Sequence, residues 1–104
     1  MDIKIESGVA DGGTVVHLDG KLDSSNATPV ELALLDVIAK GETKLVIDCV
    51  KMNFVSSAGL RSLIMAIKKM KPVGGTVTLL GLQHNVKEVL EISGLLPLFK
   101  IQDV

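Results

Sequence analysis

Cysteine occurs once, at Cys49, so no internal disulfide can form, and a reducing compartment, the cytoplasm, is the expected setting. Tryptophan and tyrosine are absent and the two aromatics are Phe54 and Phe99, which leaves little surface for stacking bases. Charge of one sign is lacking too: 11 Lys and Arg against 12 Asp and Glu give a formal net charge of −1, with no basic surplus to neutralise phosphates. Direct nucleic-acid binding is therefore disfavoured. No apolar run approaches the roughly 20 residues of a membrane span and no basic-plus-apolar leader opens the chain, so any membrane role would run through a partner. The two histidines and the one cysteine lie far apart in sequence, a spacing that matches no metal-ligand pattern and implies neither metal nor cofactor.

What is present is a globular composition: 47% apolar and 22% charged over 104 residues, enough for one domain, 1–104, with a modest two-layer core. Ile3 and Ile5 alternate, Asp11-Gly12-Gly13 signals a turn, and Thr14 to Leu18 resumes the strand, which predicts a β-hairpin. Gly20 is expected to break that second strand, leaving 21–26 as a polar loop. Ser24, Ser25, Asn26 and Thr28 compete to cap the first helix, in which Val30, Ala33, Leu34, Val37 and Ile38 recur at helical spacing before Gly41. Lys44 to Asp48 reads as a short central strand covered on both faces, followed by a turn through Lys51 and Asn53. The second helix starts near Ser57, with Leu60, Leu63, Ile64 and Ile67 predicted to face the sheet and Arg61 and Met65 to point elsewhere. Pro72 and Gly74-Gly75 end it, and Thr76 to Leu80 forms a strand parallel to 44–48, completing a central βαβ unit. A third helix, His84 to Ile92, turns Val86, Val89 and Leu90 inward, and Leu98, Phe99 and Ile101 suggest a short edge strand. The fold class is α/β, a mixed sheet of four to five strands with helices packed against it.

Ser56 and Ser57 stand where the central strand gives way to the second helix. Free N–H groups and the positive end of the helix dipole would receive an anion there, while the plainer reading of a serine in that position is an N-cap. Enzymatic readings fail on what they require. A serine hydrolase needs a base in reach and usually a G-x-S-x-G elbow, absent around both serines. The glycines at Gly8, Gly12 and Gly13 lack the Lys-Ser/Thr of a P-loop, and Gly74-Gly75 opens a strand rather than a helix. Cys49 reads as a small buried apolar residue. Asp23 and Asp48 are expected near the carboxyl edge of the sheet, beside the two serines, either as crevice residues or as turn formers. No catalytic residue is assigned; the turn can take up charge but holds nothing to add it.

The segment LVIDCVKMNFVSSAGLRSLI resembles the strand-turn-helix signature of the STAS domains, and in particular of the bacterial anti-sigma factor antagonists. Gly20-Lys21-Leu22-Asp23 is similar to an earlier family signature, and VKEVLEISGL, from Val86 to Leu95, to the third helix. The resemblance implies a STAS-type fold and no enzymatic activity. It implies a partner anti-sigma factor that is a serine kinase, a phosphatase acting on the phosphorylated form, and release of the kinase on phosphorylation. Counting back from Gly59 places the phosphoacceptor at Ser57; Ser56, which stands where many members carry Asp, is the second choice. The partner surface is expected to combine Asp23, Ser24, Ser25 and Asn26 with Ser56, Ser57, Ala58, Gly59, Arg61 and Met65. The alternatives are a constitutive STAS interaction subunit of a membrane transport or signalling assembly, or a weak nucleotide-binding module.

Overall fold

A computed structural model describes residues 1–7 and 13–104, so the expected turn residues Asp11 and Gly12, and Gly8, lie outside the described part. Five strands form one sheet in the order β1-β2-β3-β4-β5: β1 Asp2–Ser7, β2 Thr14–Leu22, β3 Lys44–Val55, β4 Thr76–Leu80 and β5 Lys100–Gln102. β1 pairs antiparallel with β2, as a hairpin requires, and β2, β3, β4 and β5 are mutually parallel. Parallel neighbours need crossovers, which α1 (Ala27–Ala39), α2 (Ser57–Met70) and α3 (His84–Ile92) supply. The mixed α/β sheet with its βαβ unit over 44–80 is as the sequence implies.

The sheet has one covered and one open face. Val16, Leu18 and Leu22 of β2, Leu45, Ile47 and Cys49 of β3, and Val77 and Leu79 of β4 are buried together with residues of all three helices in one core cluster. Each fully buried Leu or Ile there contributes about 1.5–3 kcal/mol of transfer free energy. The alternate positions, among them Val15, His17, Val46, Asp48 and Thr78, are only partly covered, so the expectation that the central strand is enclosed on both faces does not hold. A two-layer domain leaves one sheet face to water.

β3 is longer than its sequence suggests: it continues to Val55, so Lys51 and Asn53 are strand residues and Asp48 lies mid-strand. The cause is a pair of register shifts. His17 and Asp19 of β2 face Asp48 and Lys51 of β3, and Gly20 and Lys21 face Met52 and Phe54, so β3 carries an extra residue at each shift. The apolar alternation is broken there, which reads as a turn in sequence. Both shifts are supported from the start of α3, where Gln83, its N-cap residue, donates Nε2–H to the Val50 carbonyl at 2.9 Å and Asn85 donates Nδ2–H to the Asn53 carbonyl at 2.8 Å. β2 likewise runs past Gly20, whose φ of +115° lets the strand bend instead of stopping it.

α2 is rotated from the predicted orientation. Its buried residues are Gly59, Ser62, Leu63, Ala66 and Met70, whereas Leu60, Ile64 and Ile67 are partly covered. Three of the five buried residues, Gly59, Ser62 and Ala66, are small, and α1 packs alongside, presenting Val30, Leu34 and Val37 to the core. Met65, expected to point outward, is partly buried against the core cluster. On α3, Val86 and Leu90 are buried while Val89 is exposed, and β5 is the expected edge strand but starts at Lys100, after a short 3-10 turn at Leu96–Leu98.

Candidate functional site

The end of β2, the end of β3 and the start of α2 converge. Ser56 N–H donates to the Leu22 carbonyl at 2.9 Å, tying the β3–α2 turn to the β2–α1 loop. Gly59 makes this approach possible: a Cβ on it would lie 2.7 Å from Leu22 Cγ and 2.8 Å from the Leu22 carbonyl oxygen. Gly59 is thus buried beneath the site and shapes it without lining its surface. Ser62 Oγ–H donates to the Gly59 carbonyl at 2.6 Å, so the buried hydroxyl finds a partner within the helix.

The two serines have separate roles in the geometry. Ser56 has extended backbone angles and its Oγ accepts the Gly59 N–H at 3.3 Å, which makes it the N-cap of α2. Ser57 is the first helical residue; it is exposed, and its hydroxyl has no hydrogen-bond partner among the described residues. The N–H groups of Ser57 and Ala58 likewise have no acceptor among the described residues, which leaves two donors of the first turn pointing to solvent. No acidic residue sits in that turn, while Lys68 and Lys69 occupy the last one, an arrangement that keeps the N-terminal end electropositive.

The β2–α1 loop beside it is fastened by its own side chains. Asp23 Oδ1 accepts from Ser25 N–H at 2.9 Å and from Ser25 Oγ–H at 2.5 Å; these two bonds to the ionised form, the hydroxyl foremost, hold the Asp23 carboxyl below its usual pKa. Asn26 occupies the N-cap position of α1 but makes no capping bond. Its carboxamide folds back, accepting Asp23 N–H at 2.9 Å and donating to the Lys21 carbonyl at 2.6 Å. The helix starts at Ala27, one residue before Thr28, the last of the four cap candidates. Between the starts of α1 and α2 runs a groove lined by Ser24, Thr28, Glu31, Ala58, Arg61 and Ser62. Arg61 is exposed and makes no ion pair among the described residues.

Of the residues predicted from sequence, Asp23, Ser24, Ser25, Asn26, Ser56, Ser57, Ala58 and Arg61 come together at this end. Asp48 does not. With β3 extended to Val55 it lies seven residues upstream, on the open face, where its Oδ2 is 2.6 Å from His17 Nδ1. Thr28, Glu31 and Ser62 were not anticipated, because the side-by-side packing of α1 and α2 is a tertiary fact that neither helix's pattern records. No group of three or more His, Cys, Asp or Glu among the described residues is arranged to hold a metal ion. No described helix is long and apolar enough to cross a membrane. Cys49 is buried, and desolvation, with the Asp48 charge adding to it, pushes its thiol up to about 12.

The family model of the STAS domain matches residues 1–104. A relative from Bordetella bronchiseptica, BtrV, assigned as an anti-sigma factor antagonist, is 35% identical over 99 residues, covering 95% of this chain and 85% of that protein. The anti-sigma F factor antagonist of Paenibacillus polymyxa is 25% identical over 104 residues, covering 99% of this chain and 89% of its own length. Among solved structures, the anti-sigma factor antagonist SpoIIAA in its unphosphorylated form has the same fold, with a TM-score of 0.84 at 22% identity over 99% of this chain and 88% of that one. Bacillus SpoIIAA in its phosphorylated form gives a TM-score of 0.77 at 22% identity, over 99% of this chain and 91% of that one. A family model spanning the chain, a relative at 35% identity and a shared fold agree, and the chain belongs to the STAS domain family, with the anti-sigma factor antagonists.

Proposed function

We propose that this protein is a cytoplasmic, phosphorylation-controlled switch: unphosphorylated, it binds an anti-sigma factor that is a serine kinase, and phosphorylation of Ser57 releases that partner until a serine phosphatase restores the free hydroxyl. The observation that carries this reading is the division between the two serines. Ser56 is engaged as the helix cap, whereas Ser57 presents an exposed hydroxyl with no partner among the described residues. The partner surface is the Asp23–Asn26 loop together with Ser57, Ala58 and Arg61; these residues stand on two helix starts joined by the Ser56–Leu22 bond, so the surface is already ordered before a partner arrives.

Phosphorylation adds about −1.5 to −2 charges at neutral pH, and at a helix N-terminus with free N–H donors that charge is tolerated by the fold. Its effect falls on the complex. An interface formed around a neutral hydroxyl must desolvate the new anion, and a loss of about 2.7 kcal/mol lowers affinity roughly a hundredfold. The chain contributes a substrate serine and a docking face, and the phosphoryl-transfer machinery belongs to the partner. The test is incubation with a binding anti-sigma factor kinase and Mg-ATP, followed by tandem mass spectrometry of the peptide containing Ser56 and Ser57. Phosphate on Ser57 is expected; a kinase that binds yet modifies neither serine overturns the reading.

A further inference from the structure

On the open face of the sheet, away from the Ser57 turn, three titratable side chains from three strands meet. His17 of β2 places Nδ1 2.6 Å from Asp48 Oδ2 of β3 and Nε2 2.6 Å from Glu6 Oε1 of β1. A neutral imidazole carries one N–H, so it can donate to only one of two carboxylates; both short contacts are satisfied with ionised carboxylates when both ring nitrogens carry a proton. The carboxylates approach opposite edges of the ring and do not converge on a common point, so the cluster is a bridge and not a metal site.

We propose that the Glu6–His17–Asp48 cluster is a proton-operated pin: the doubly protonated ring fastens the edge strand β1 and the shifted segment of β3 to β2, and loss of one ring proton releases β1. The two sides are unequal. Asp48 is the better covered carboxylate, 22% exposed against 49% for Glu6, and its other oxygen accepts the Val50 N–H at 3.0 Å at the first register shift of β3. The proton that stays on a neutral ring therefore stays on Nδ1, facing Asp48. The Nε2 lone pair then faces a Glu6 oxygen, and contact with β1 turns from attraction to repulsion. β1 is an edge strand, paired on one side only, and its inward Ile5 is 43% exposed, so little besides the ladder to β2 holds it.

The groups facing the ring favour the charged form. Asp2 and Glu6 from β1, Asp19 from β2 and Asp48 from β3 line the surrounding cleft, opposed by Lys4, directly across the ladder from His17, and by Lys51 of β3. The hydrogen bond to Asp48 is the largest influence on His17; against some desolvation, and helped by the Glu6 bond and both carboxylate charges, it raises the ring above its ordinary 6.5. A raised folded-state value means that the pin's contribution is complete below 6.5 and is lost as pH rises through the folded value. The pin therefore opens as pH rises past the folded value, which lies above 6.5, and not as pH falls through it.

NMR titration of the His17 ring, combined with amide exchange of β1 corrected for intrinsic rates, tests this on the intact protein. The ring titrates above 6.5 in the wild type, and Asp48→Asn and Glu6→Gln each bring it down. Protection of the β1 amides falls as pH passes through the wild-type value and is flat over the same range in His17→Gln. A ring pKa at or below 6.5 overturns the pin. β1 protection that falls equally in His17→Gln overturns the release. Glu6→Gln, an exposed and nearly isosteric change, gives the same flattening if His17→Gln disturbs the sheet.

Discussion

Replacing Gly59 with alanine tests how the start of α2 is seated. The added methyl would lie 2.7 Å from Leu22 Cγ, 2.8 Å from the Leu22 carbonyl oxygen and 3.0 Å from Val55 Cγ2. The side-chain atoms could yield by rotation, but the carbonyl cannot move freely, because it accepts the Ser56 N–H at 2.9 Å. Overpacking of this kind costs about 1–3 kcal/mol. Weakening the Ser56–Leu22 bond adds about 1 kcal/mol, and alanine's better helix propensity returns at most about 1 kcal/mol. The net expectation is a loss of about 1–3 kcal/mol, read as a lower urea midpoint by far-UV circular dichroism, or as a fall of roughly 10 °C in Tm for a loss of about 2 kcal/mol. Partner affinity should drop with it, since the clash lies directly under the Ser57 turn. If Gly59→Ala proved as stable as the wild type or more so, as an unobstructed glycine-to-alanine change in a helix would be, the close seating of α2 on β2 would be refuted.

The serine pair separates stability from modification: Ser56→Ala should cost about 1 kcal/mol through loss of the cap, with phosphorylation still at Ser57, whereas Ser57→Ala should change stability by less than about 0.5 kcal/mol and abolish phosphate uptake. Denaturation curves and mass spectrometry on the two variants distinguish the roles, and the reverse pattern would exchange them. Cys49, buried and with its thiol pushed up to about 12, should resist alkylation by iodoacetamide in the folded protein at pH 8 and react readily in denaturant; quick labelling under native conditions would show that β3 opens locally.

Much of the architecture is legible in the sequence because it is carried by local signals. Asp11-Gly12-Gly13 between two apolar runs announces the β1–β2 pairing, Ser56 before a helical repeat announces the cap, and Thr76 to Leu80 after Gly74-Gly75 announces β4. What escaped is set by contacts between distant residues. Lys51 and Asn53 look like turn residues because the two register shifts are visible only against β2 and α3. The inward face of α2 was misjudged because Leu60 and Ile64 are more apolar than Gly59, Ser62 and Ala66, yet the helix start seats against β2 and β3, with Leu22 and Val55 leaving no room for a side chain at Gly59. At the site, the exposed Ser57 and the Asp23–Asn26 loop were named from motif spacing, while the groove residues Thr28, Glu31 and Ser62 depend on where two helices cross. The Glu6–His17 half of the open-face bridge could have been found from the alternation of a paired hairpin; the Asp48 half requires the parallel register of β2 with β3.

The shifted registers of β3 also bear on where Ser57 points. From Leu18 through Gly20 to Leu22, β2 advances two residues for each inward position; alongside it β3 advances three, from Cys49 to Met52 to Val55, all buried. Two strands of unequal stride arrive level, and the longer one enters α2 only after its phase has been reset twice. Removing one residue between Cys49 and Val55 would leave the composition of the segment nearly unchanged and turn the entry to the helix to the other side of the sheet. In this chain the length of that segment acts as an aiming device: it directs the serine, and substitutions along it matter less than the count of residues.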